Sequence, residues 1–141
     1  MYKSIIFDIG GVMVDFDPKA YLVDRLCSAE MEEKVYDLTF GSEEWKKLDA
    51  GLISRFEGNA TMLKNAQAAG CEFEVQGVLD DWTHILRPRH RMIELVRRLK
   101  NHGYCVYYLS NIPEDILELL TARGVLDQFD GGVASCEVHI N

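Results

Sequence analysis

Apolar and polar positions alternate along this chain in two rhythms. Ser4 to Phe7 is a short, nearly continuous apolar run with two β-branched isoleucines, and such a run predicts a strand buried on both faces of a parallel sheet. It stops at Asp8, and two glycines, Gly10 and Gly11, follow at once. A second run, Tyr104 to Leu109, stops just as sharply at Ser110 and Asn111. After it, "PEDILELLTARG" predicts a helix, with Pro113 near its start, acids in its first turn and Gly124 just past its end. Before it, Met92, Leu95, Val96 and Leu99 recur at helical spacing and Gly103 supplies a stop.

From Asp17 to Arg87 only the helical rhythm is present. It predicts helices over Pro18 to Cys27, Glu30 to Phe40 and Glu43 to Asp49, one opened by the capping box Ser54-Arg55-Phe56-Glu57, and a last one near Val75 to Leu86. The pattern therefore predicts an α/β chain: a Rossmann-like parallel sheet built from residues 1–16 and 88–141, with an all-helical cap inserted at 17–87. Ligands of open parallel sheets bind beyond the carboxyl ends of the strands. Asp8 and Ser110-Asn111 are thus expected in one crevice roofed by the insertion.

Composition narrows the partners. The 141 residues are 48% apolar, normal for a packed globule, and 23 acids against 15 basic residues give a net charge of -8. That charge repels phosphate backbones and anionic membranes, so a small molecule is the expected ligand, with no nucleic acid and no membrane. Four scattered cysteines without a CxxC pair read as reduced thiols. With no apolar signal region ahead of the first strand, a cytoplasmic protein is expected.

The motifs add chemistry. "IIFDIGGVMVDFDP" and "VYYLSN", in that order and separated by a cap-sized helical insert, resemble motifs I and II of the haloacid dehalogenase-like (HAD) hydrolase superfamily, and the position of the insert resembles its first subclass, subfamily IA. Trp45, Leu48, Gly51, Ile53 and Ser54, together with Leu86-Arg87-Pro88, look most like the branch containing α-glucose-1-phosphate phosphatase. The resemblance implies a magnesium-dependent hydrolase of a small phosphate monoester, plausibly a sugar phosphate. Asp8 would be the nucleophile that forms an aspartyl-phosphate. Magnesium would be held by the Asp8 carboxylate and the Gly10 carbonyl. Gly10 and Gly11 would offer N–H groups to the phosphate, as would the Ser110 hydroxyl and the Asn111 N–H. An unpaired carboxylate beside a dry core is costly, and the metal would account for it.

Two departures accompany the resemblance. Many such phosphatases carry a second aspartate two positions after the nucleophile, where this chain has Gly10; Asp15, Asp17 or a cap residue are the candidates to replace it. The family's later lysine and acidic pair, motifs III and IV, are absent, so the reading is of a C-terminally truncated core, an incomplete and inactive fragment. Its first strand would present a free edge, a site for dimer formation. Plainer readings stand beside these. Asp8 could simply end a strand, and Asp17 could cap the helix at Pro18. Arg87, Arg89, His90, Arg91, Arg97 and Arg98 read as a solvated helix face. Trp45 and Trp82 read as core residues. The functional alternatives are a metal-independent haloacid dehalogenase and a non-catalytic HAD-like binding protein.

Overall fold

The computed structural model describes residues 3–141. In chain order the elements are β1 (Ser4–Phe7), α1 (Pro18–Arg25), α2 (Ala29–Leu38), α3 (Glu43–Asp49), α4 (Arg55–Ala69), α5 (Glu72–Asp81), a 3₁₀ turn (Trp82–Ile85), α6 (His90–Asn101), β2 (Cys105–Ser110), α7 (Glu114–Ala122), β3 (Gly131–Ala134) and α8 (Ser135–Val138). They form two compact units. One holds the chain up to Phe16, Asp49–Gly51 and Leu86–Asn141; the other holds Asp17–Leu48 and Leu52–Ile85.

The first unit is built on a parallel sheet in the order β1-β2-β3. Register sets Ile6 against Tyr107 and Leu109 against Val133 on one face, and Phe7 against Tyr108 and Ser110 against Ala134 on the other. The second face is the inner one: Val106 and Ala134 are fully buried, and the Phe129 ring meets Phe7 and Tyr108 edge-on. On the first face Ile6 is 64% and Leu109 58% exposed. The strands therefore do not bury both faces, as their unbroken apolar runs suggest. Each run contributes alternate residues to opposite sides, and among the described residues only one side is covered. β1 lies at the edge of this sheet.

The second unit is all helical. Asp17, Ser28 and Ser54 each cap a helix by accepting a backbone N–H, and the Ser54–Glu57 box closes in both directions. Its core is aromatic: the Phe40, Trp45 and Trp82 rings lie 4.7 to 5.8 Å apart, and the Arg55 guanidinium stands over both tryptophans. The last helix is shorter than its periodicity implies. It ends at Asp81 and tightens into the 3₁₀ turn, which leaves Trp82 buried against Trp45. Asp81 accepts hydrogen bonds from Tyr21 and Arg25. Burial pushes its carboxyl up, but these bonds outweigh that and hold it below the ordinary range. No helix among the described residues is long and apolar enough to cross a membrane.

Candidate functional site

Parallel pairing of β1 with β2, Phe7 opposite Tyr108, brings the polar residues that end the two strands side by side. The Ser110 hydroxyl donates to Asp8 Oδ1 at 2.7 Å, and the Ile9 N–H donates to the same oxygen at 2.6 Å. Ser110 is buried, whereas Asp8 is exposed. The carboxylate thus avoids the desolvation cost that its place after an apolar strand suggests, because it stands at the solvent end of the sheet with two donors and water in reach.

The residues after Asp8 form a tight turn around one carbonyl. Ile9 O accepts from Val12 N–H at 3.2 Å, Met13 N–H at 2.8 Å and Val14 N–H at 3.1 Å. Gly11 has φ +71°, with open space where a Cβ would stand, so backbone conformation and not crowding favours glycine there. None of these bonds ends on the Gly10 carbonyl, which leaves a hard oxygen near Asp8 in the chain. Asn111 lies exposed in the loop after β2.

Sequence reasoning missed Ser135. It is 3% exposed and sits at the tip of β3, donating to the Asp49 carbonyl at 2.5 Å while accepting the Ile112 N–H at 2.9 Å. It holds the loop that follows Ser110-Asn111. The signal was faint: "GGVAS" contains two glycines and too few apolar residues to announce a strand ending in a polar tip. Burial pushes the thiol of Cys136 beside it above its ordinary range.

Three flanking residues also have definite places. Asp17 accepts the Ala20 N–H at 3.0 Å and caps α1. Asp15 accepts from Arg89 Nε at 2.7 Å, and the same guanidinium donates to the Gly11 carbonyl. Arg89 is therefore not part of a merely solvated basic face. The two extended segments around it run antiparallel, with Val14 bridged to Pro88, and this pairing lets a residue far along the chain reach the turn after Asp8. Among the described residues no group of three or more His, Cys, Asp or Glu side chains stands ready to hold a metal ion.

No model of a known protein family matches the chain. It is similar to the sesquiterpene phosphatase astK of Aspergillus oryzae, 32% identical over 135 residues, which cover 95% of this chain and 64% of that protein. The chain thus spans just under two thirds of the length of the curated relative it matches. Among solved structures it is similar to the HAD family enzyme bt-2542 of Bacteroides thetaiotaomicron in complex with magnesium and inorganic phosphate, at 18% identity and a TM-score of 0.68, covering 100% of this chain and 72% of that one. It is likewise similar to a predicted HAD-like family hydrolase from Porphyromonas gingivalis, at 21% identity and a TM-score of 0.66, covering 100% of this chain and 70% of that one. With its parallel strand order, its aspartate and serine joined at neighbouring strand tips and its helical unit following the first strand, the chain has the fold of the solved HAD family enzymes to which it is similar.

Proposed function

We propose that the chain serves the hydrolysis of a small phosphate monoester, with Asp8 as the nucleophile. The observation that carries this reading is the hydrogen bond from Ser110 to Asp8 Oδ1. It orients one carboxylate oxygen and leaves the other, Oδ2, free to attack. A bond forms between that oxygen and phosphorus, the ester P–O bond breaks, and the alcohol leaves; water then cleaves the aspartyl-phosphate to regenerate Asp8 and release phosphate. In this reading the N–H groups of Gly10, Gly11 and Asn111 and the Ser110 hydroxyl stabilise the equatorial phosphoryl oxygens.

Magnesium suits the donors present. The exposed Asp8 carboxylate and the Gly10 carbonyl, which accepts no hydrogen bond among the described residues, are hard oxygens, and magnesium commonly fills the rest of its shell with water and substrate phosphate. When bound, it offsets the repulsion between carboxylate and phosphate. The HAD family enzyme from Bacteroides thetaiotaomicron, crystallised with magnesium and inorganic phosphate, supports this assignment. Asp15 and Asp17, the candidates for the general acid missing at Gly10, are engaged with Arg89 and with the cap of α1.

For the substrate, the motif resemblance favours a sugar phosphate, whereas the likeness to the sesquiterpene phosphatase of Aspergillus oryzae favours a sesquiterpenoid phosphate. A cytoplasmic setting belongs to the same reading, supported by four free cysteines. So does a dimer formed along β1, supported by that strand's position at the edge of the sheet. The test is turnover of a generic aryl phosphate by the full-length protein with magnesium, followed by a sugar phosphate and a sesquiterpenoid phosphate. Asp8→Asn should lower kcat/KM by at least about a thousandfold. Halide release from a haloacid, insensitive to chelator, would replace this reading with a dehalogenase. Phosphate binding without turnover would replace it with a binding protein.

A further inference from the structure

Arg89 is separated from Gly11 by the whole helical unit in sequence, yet its guanidinium meets that turn. Three contacts converge. Nε donates to Asp15 Oδ1 at 2.7 Å, another guanidinium nitrogen donates to the Gly11 carbonyl, and the Arg89 backbone N–H donates to the Met13 carbonyl at 2.8 Å. A fourth bond, from Asp15 N–H to the Arg87 carbonyl at 2.9 Å, ties the same two segments together. Both side chains are about half exposed, at 44% for Arg89 and 52% for Asp15. An ion pair so open to water contributes little by attraction alone. Geometry gives this one its value, because a planar guanidinium can serve a carboxylate and a carbonyl at once from a fixed fork, which an ammonium group cannot do.

We infer that Arg89 is a positioning residue: through the Gly11 carbonyl it pins the turn that follows Asp8, and Asp15 serves chiefly to aim the guanidinium. The carbonyl it holds belongs to the one residue of the turn with a left-handed backbone, where the chain has most freedom to relax into other conformations. Fixing that peptide fixes the direction of the N–H groups on either side of it. This inference gives a purpose to the arginine at the exit of the helical unit and to the aspartate at its entrance. Its link to catalysis rests on the phosphatase reading above, but the clamp itself can be tested without that reading.

The test is amide hydrogen exchange, measured by NMR at Val12, Met13 and Val14, whose N–H groups close the turn on Ile9. Arg89→Ala and Arg89→Lys should both speed exchange there by about tenfold, the loss of one charge-assisted hydrogen bond, with β2 amides unchanged. Asp15→Asn, which keeps the bond to Gly11, should speed it by less than about threefold. An Arg89→Lys protein that exchanges like the wild type would overturn the inference, and so would an Asp15→Asn protein that matches Arg89→Ala. Either result would reduce the contact to an ordinary surface ion pair. Titration of the same proteins with inorganic phosphate and magnesium separates the two proposals. Failure of the wild type to bind removes the phosphatase reading and leaves the exchange data to judge the clamp; binding by the wild type that Arg89→Lys weakens supports both.

Discussion

The two units of this protein handle the same kinds of residue in opposite ways. In the helical unit, aromatic side chains close on one another: Phe40, Trp45 and Trp82 are each less than a tenth exposed, and its main polar cluster, Tyr21 with Asp81 and Arg25, is satisfied internally. In the sheet unit one face stays open, with Ile6, Tyr107, Leu109 and Val133 exposed, and the polar residues gather at the strand tips and the turn after β1. Apolar burial stabilises the helical unit, whereas the candidate site's polar residues gather in the sheet unit. A carboxylate able to attack a substrate must remain within reach of solvent, and the end of a parallel sheet provides that position without burying a charge.

The largest test of this contrast is Trp82→Ala. Trp82 is 3% exposed and touches two aromatic rings, so its truncation should cost about 3 to 5 kcal/mol in denaturant unfolding. Loss of exchange protection should be greatest in α1 to α5. An intermediate effect is expected at Gly132 on the covered face of the sheet. A Cβ there would stand 2.3 Å from the Tyr108 ring, and Gly132→Ala should cost about 1 to 3 kcal/mol through overpacking. The smallest is Leu109→Thr on the open face. Leu109 is 58% exposed, and the same unfolding assay should shift by no more than about 0.5 kcal/mol. A cost for Leu109→Thr as large as that for Gly132→Ala would erase the distinction between the two faces.

Much of the site could be read along the chain because its parts are local. Asp8 followed by two glycines, and Ser110-Asn111 after an apolar run, announce strand tips by an abrupt change of polarity, and the structure joins those tips through one hydrogen bond. The Ser54 capping box was equally plain, since all its atoms lie within four residues. Ser135 and Arg89 were hidden for the opposite reason. Ser135 owes its role to Asp49 and Ile112, and Arg89 owes its role to Gly11 and Asp15. In each case the partners lie far away in sequence, and no periodicity records such a meeting.

The chain alone therefore determined the first two strands, most of the helices and where polar residues would end those two strands, because propensity, capping and hydrophobic rhythm act over a few residues. Tertiary structure alone decided which face of the sheet is covered, which acids are engaged elsewhere and which arginine holds the turn. Those outcomes depend on pairing between distant segments, where a one-residue change of register moves every side chain to the other face.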